Sequence, residues 1–199
     1  AMSDASSVDL SQFQRWYEQA GTPVLSVKES WDEKLGSYLL DISQSTDATP
    51  GQERKDPFHI PILVGLLDEH GNDLAGVVAT QCGKRENSFL IELKEEKQTF
   101  VFKGLKKRPT LSFLRQFSAP VKVERFHSRD NLAFLMGHDT DLFNRWDAAF
   151  SLSESIIKEI ADLIGSGEQP ELDQTFIEAV RKNLKENQID KSLAAMALS

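Results

Sequence analysis

Ser37-Tyr38-Leu39-Leu40-Asp41-Ile42 decides the reading of the middle of this chain. Tyr38, Leu40 and Ile42 fall on one face, the period-two pattern of a half-buried strand. The same period recurs outward in both directions. Residues 23–27 (PVLSV) read as a strand before it, and the run 59–67 (HIPILVGLL) as a longer one after it. Pro61 in that run lacks an amide donor, which places it at a sheet edge or bulge. Residues 68–73 (DEHGND) form a turn cluster, from which 74–79 are expected to return as the paired strand. Further strands are expected at 89–93, 99–102, 111–117, with Leu111, Phe113 and Phe117 on one side, and 121–124. About eight short strands separated by polar loops predict an antiparallel β-sandwich.

The period changes on either side of this region. Leu10, Phe13, Trp16, Tyr17 and Ala20 form an aromatic stripe at helical spacing, which Gly21 and Pro23 end. From about Ser128 helical spacing returns. Leu132, Phe134, Leu135 and Met136 mark a short helix. A long one runs from Phe143 to Ile164 and ends near Gly165. A third, capped by Asp173, carries Phe176, Ile177, Val180 and Leu184. A terminal helix is expected over 190–199, where Leu193, Ala194, Ala195, Met196, Ala197 and Leu198 are almost wholly apolar and need a partner surface. Strands followed by helices read as separate β and α domains. The expected class is therefore multidomain α and β: an antiparallel, Ig-like sandwich followed by an α-helical region and preceded by one short helix. The expected division is 1–22, 23–127 and 128–199. Both ends read as cut surfaces, which points to an internal piece of a larger protein. Ala1-Met2-Ser3 reads as a cloning remnant.

Composition narrows the partners. The 199 residues carry a formal net charge of -8, which argues against a nucleic-acid backbone as ligand. No apolar run approaches the roughly 20 residues of a membrane span, and no charged-then-apolar signal segment is present. A single cysteine, Cys82, leaves no internal disulfide and fits a reducing, cytoplasmic setting. Cys82 reads as an unremarkable thiol in a polar stretch in preference to a nucleophile.

Chemistry-bearing motifs are lacking. His59, His70, His127 and His138 are scattered, and none belongs to a His-Glu-x-x-His pair. His59 in its apolar run reads as a satisfied core or edge histidine and His70 as a solvated turn residue. His127 and His138 could meet only by folding. Asp139-Thr140-Asp141 resembles the start of a calcium loop, but Asn144 stands where the loop needs glycine and Phe150 where it needs glutamate. Capping of the following helix by Asp141 explains it better. The basic run 103–108 (KGLKKR) reads as a solvated hairpin end, and Gly165-Ser166-Gly167 as a flexible loop. Catalytic, cofactor-binding and metal-ligating residues are all assigned as none.

Several segments, in order, resemble the bacterial aminopeptidase N family of zinc-dependent aminopeptidases: 13–23 (FQRWYEQAGTP), 59–62 (HIPI), 98–102 (QTFVF), 117–122 (FSAPVK) and, best of all, 132–149 (LAFLMGHDTDLFNRWDAA). The resemblance runs from about residue 9 to the end of the chain. It implies the last helix of a catalytic domain, a whole sandwich and the opening helices of a C-terminal helical domain. The family's zinc-binding His-Glu-x-x-His helix, its downstream glutamate, its exopeptidase motif and its catalytic tyrosine have no match here. Tyr17 and Tyr38 lie outside that context, so no catalytic residue carries over. The expectation is a non-catalytic segment whose parent holds zinc and removes N-terminal residues from peptides. Its partners would be the rest of that polypeptide, with no nucleic acid and no membrane. Phe13 and Trp16 would pack on catalytic-domain helices, and Leu193 and Leu198 on later ones. The alternatives are a free-standing sandwich that binds a protein partner and an enzyme built on Cys82 or the histidines.

Overall fold

The computed structural model describes residues 9–74, 76–171 and 173–185. The terminal helix expected over 190–199 lies outside them. Nine strands and four α-helices occur among the described residues. In order they are α1 (Arg15–Glu18), β1 (Val24–Asp32), β2 (Ser37–Ser45), β3 (Ile60–Leu67), β4 (Val78–Ala79), β5 (Cys82–Arg85), β6 (Ser88–Leu93), β7 (Lys97–Lys103), β8 (Thr110–Phe113), β9 (Lys122–Glu124), α2 (Arg129–His138), α3 (Leu142–Gly165) and α4 (Gln174–Lys185). One sheet has the order β4-β7-β2-β1-β9 and the other β5-β6-β3-β8. The chain forms two compact units, one of Ala1–Val64, Ala75–Arg108 and Phe117–Arg125, the other of Gly65–Leu74, Pro109–Gln116 and Phe126–Ser199.

The first unit is the sandwich. Alternation sends Leu25 and Val27 of β1, Tyr38, Leu40 and Ile42 of β2, and Phe100 and Phe102 of β7 inward from one sheet. Ile60, Ile62 and Val64 of β3 and Phe89, Ile91 and Leu93 of β6 point inward from the other. Burial of each large apolar side chain stabilises the unit by about 1.5–3 kcal/mol. The rings of Phe89 and Phe102 meet edge to face with centroids 5.3 Å apart, joining the two sheets. β1 with β2, β2 with β7, β3 with β6, β4 with β7 and β5 with β6 pair antiparallel, whereas β9 adds to β1 in parallel with Val24 opposite Lys122. The turn joining β1 to β2 needs Gly36, because a Cβ there would lie 2.5 Å from the carbonyl oxygen of Leu105.

Three strand expectations change. β3 has neighbours on both sides in its sheet, so it is not an edge strand as a whole. Pro61 pairs with Glu92 of β6. The Leu63 amide, two residues on and so turned to the same side, donates to Ser118 Oγ at 2.9 Å instead of to a strand. The missing donor of Pro61 therefore faces a locally unpaired stretch. Residues 74–79 do not return along β3. A single bridge joins Leu67 to Asp73, and the short β4 then pairs with β7 of the other sheet. The ladder stops where the Asp73 carboxylate is committed to Arg115 and Thr140. The strand expected over 111–117 ends at Phe113, because Leu114, Gln116 and Phe117 take left-handed φ values of 61°, 58° and 49°.

In the second unit, Leu132, Ala133, Leu135 and Met136 of α2 pack with Ala148, Ala149, Leu152 and Ile156 of α3 and Ala179 of α4. The helix starts follow capping chemistry. Ser128 accepts from the Asn131 amide, Asp141 Oδ1 from the Asn144 amide at 2.9 Å, and Asp173 from the amides of Thr175 and Phe176. The run 139–141 is thus a cap, as its failure to match a calcium loop indicates.

Candidate functional site

His59 is buried in the sandwich, its Nε2 3.1 Å from Glu92 Oε1 and its carbonyl accepting from Trp16 Nε1 at 2.9 Å. His70 is exposed in its turn. His138 stacks on Phe134 within α2, ring centroids 4.3 Å apart, and meets the Lys182 ammonium. Among the described residues no three His, Cys, Asp or Glu side chains group to hold a metal ion. The pairing of His59 with one carboxylate in the sheet does not fit the zinc set that the family resemblance implies, which needs at least three convergent ligands. Burial pushes the Cys82 thiol up to about 11, so at neutral pH it is not the thiolate a nucleophile requires.

Buried charge is concentrated elsewhere. In the helical unit the Arg115 guanidinium donates to Asp73 at 2.8 Å and to Asp139 at 3.2 Å, and its Nε to Ser112 Oγ at 2.8 Å. Asn144 of α3 donates to the same Ser112 hydroxyl at 2.8 Å and to the Phe113 carbonyl at 3.0 Å. Arg115 and Asn144 together thereby tie the turn after β3, the end of β8, the end of α2 and the start of α3. Gly65 makes room for it, since a Cβ there would sit 1.9 Å from the guanidinium carbon. Burial pushes the Asp139 carboxyl above its ordinary value, against the opposing pull of Arg115 and Ser112. A pair this dry holds its groups in one arrangement.

The sandwich has a matching cluster. Glu29 accepts from Tyr38 Oη at 2.6 Å and from Arg125 Nε at 2.7 Å, and Arg108 lies 3.8 Å away. Burial alone would raise the Glu29 carboxyl. The charge of Arg125 with the hydrogen bonds from Tyr38 and Arg125 outweighs it and holds the group below its ordinary value. Tyr38 is pushed well above the usual phenol range, first by burial and then by the Glu29 charge.

The segment before β1 is regular helix only over Arg15–Glu18, shorter than the stripe predicts. It is held by side chains instead of by its own ladder. Gln12 Nε2 donates to the carbonyls of Pro57 and Lys94 at 3.1 and 2.6 Å, and Arg15 donates to Pro57. Gln19 pairs with both backbone groups of Asp56, at 3.0 and 2.7 Å. Trp16 packs on Phe58 with centroids 4.6 Å apart, and Phe13 sits edge-on to His59 at 6.0 Å. Both aromatics thus find partners on the sandwich itself, where the sequence reading gave them only catalytic-domain helices. Tyr17 points to solvent.

The sequence reading missed Arg115, Asp73 and Asn144, and Glu29 with Arg125. The available signal was an arginine inside the apolar run 111–117, a position that needs a buried partner.

A family model described as a domain of unknown function (DUF3458) with an Ig-like fold matches residues 21–126, and a companion described as ARM repeats (DUF3458_C) matches residues 129–199. The whole chain is similar to aminopeptidase N of Escherichia coli (strain K12), 41% identical over 199 residues that make up 22% of that protein. Aminopeptidase N of Haemophilus influenzae is 34% identical over the same 199 residues, again 22% of its length. Among solved structures, Legionella pneumophila aminopeptidase A in complex with aspartic acid matches with a TM-score of 0.79 and 29% identity, covering 100% of this chain and 21% of that one.

Proposed function

The chain belongs to the DUF3458 family, whose Ig-like domain spans residues 21–126, and from that premise we propose that it is a non-catalytic bracing segment of a zinc metallo-aminopeptidase. The observation that carries the proposal is similarity over all 199 residues to proteins of which those residues make up 22%. In this reading residues 1–22 are a polar tail and the last helix of a catalytic domain, 23–127 the sandwich domain, and 128–199 the first helices of a C-terminal helical domain. The parent removes N-terminal residues from peptides in the cytoplasm, with its zinc held by residues outside this chain.

The bracing role draws support from how the segment before β1 is seated. Its row of side-chain bonds to the backbone of 56–59 and 94 fixes the direction in which any preceding domain meets the sandwich. Hydrogen bonds to backbone carbonyls are directional, so the row resists rotation as well as separation.

The test is the reading frame on both sides of the segment. The proposal expects a continuous upstream frame that encodes a His-Glu-x-x-His pair and a downstream glutamate. Stop codons flanking residues 1 and 199 would overturn it and leave a free-standing binding module.

A further inference from the structure

The contact between α2 and α4 turns on one imidazole. His138 is the last residue of α2 and is half-buried. Its Nδ1 lies 3.0 Å from the Phe134 carbonyl oxygen. A carbonyl only accepts, so Nδ1 carries the hydrogen of this bond. In a neutral ring Nε2 is then the bare acceptor. The Lys182 ammonium of α4 meets that nitrogen, and an ammonium only donates. The arrangement therefore needs a neutral imidazole in its Nδ1–H form. The ring is held in place on two sides. It stacks on Phe134 with centroids 4.3 Å apart, and the turn after β3 presses on it at Gly71, where a Cβ would lie 2.6 Å from the His138 Cβ.

Charged groups reach this end of α2 from every neighbouring element. From α3, Arg145 donates to the carbonyls of Met136 and Gly137 at 3.3 and 3.2 Å. α4 brings Lys182, with Glu178, Arg181 and Lys185 beside it. The turn 68–73 brings Asp68, Glu69, His70 and Asp73. Asp68 accepts from the amides of His70 and Asn72, and Asp73 is committed to Arg115 and Thr140. Asp139 and Asp141 follow α2, the first accepting from Arg115 and the second from the amides of Gln116 and Asn144. The carbonyl end of a helix draws a cation, and Arg145 and Lys182 supply it here.

We propose that His138 and Lys182 form a pH-dependent tie between α2 and α4, made while the imidazole is neutral and released when it takes a second proton. One lone pair on Nε2 serves either the Lys182 ammonium or that proton, so the proton enters only as Lys182 leaves. The tie is present above the ordinary imidazole range, about pH 6.5, and is lost as pH falls through it. α4 places Phe176, Ala179 and Val180 in the apolar core, and Lys182 holds the helix just beyond them. The tie lies wholly within the helical unit, so it does not depend on the aminopeptidase reading.

The test is amide hydrogen exchange of the full-length protein at about pH 7.5 and 5.5, either side of the imidazole range. Exchange is read by peptide mass spectrometry and corrected for its intrinsic pH dependence. Three proteins are compared: the native one, Lys182→Met, which removes the donor, and His138→Gln, whose amide oxygen still accepts but does not titrate. Protection of the buried part of α3 checks that each is folded. The native protein should lose protection in α4, relative to α3, by about fivefold or more on acidification. His138→Gln should keep its protection at both pH values, and Lys182→Met should show the lower protection at both. Unchanged protection of α4 in the native protein at the lower pH would overturn the proposal. An equal acid loss in Lys182→Met would also overturn it, because the loss would then belong to another group.

Discussion

Arg115 holds its guanidinium between Asp73 and Asp139, with both carboxylates out of water. Replacing it by methionine keeps the volume and strands two buried acids, which costs about 3–5 kcal/mol. That is a large part of the roughly 5–15 kcal/mol that holds a domain. Urea unfolding should show the loss for Arg115→Met, whereas Arg54→Met on the exposed loop before β3 should change stability by no more than about 0.5 kcal/mol. Glu29 gives a pH signature of definite sign. Its folded carboxyl lies below its ordinary value, so its ion-pair stabilisation is present above the unfolded value and is lost as pH falls through the folded one. The stability gap between the native chain and Glu29→Gln should be widest near neutral pH and narrow in acid. A gap that stays constant across an acid pH series of urea melts would show that Arg125 and Tyr38 do not hold the charge.

Among the elements, what could be read from the sequence was what repeats or caps. Tyr38, Leu40 and Ile42 alternate because one face of β2 is core, and the period of two survives in the sequence. Asp141 and Asp173 start helices because their carboxylates reach amides two or three residues on, a local rule. Asp141→Ala should therefore cost about 1 kcal/mol in thermal or urea unfolding. The end of β8 was illegible. Leu114, Gln116 and Phe117 adopt left-handed φ without a glycine, because the buried bonds of Arg115 over-determine the turn. The return of 74–79 to the other sheet was hidden for the same reason, since Asp73 answers to Arg115 across a long stretch of sequence. The segment before β1 could be read as aromatic and helical. Its partners could not, because backbone carbonyls of 56–59 leave no mark in side-chain pattern.

For the whole molecule, the sandwich and the helical unit each have a core and a buried charge cluster of their own. Each cluster joins elements of its own unit through buried ion pairs. The family was recognisable in the sequence because segments such as 132–149 are nearly continuous motifs. The measurement that tests the account most directly is hydrolysis of an aminoacyl anilide in the presence of zinc, by this chain alone and by the full-length protein of the same gene. The account predicts turnover by the full-length protein and none above buffer by the chain. Turnover by the chain alone, lost when zinc is chelated, would contradict it.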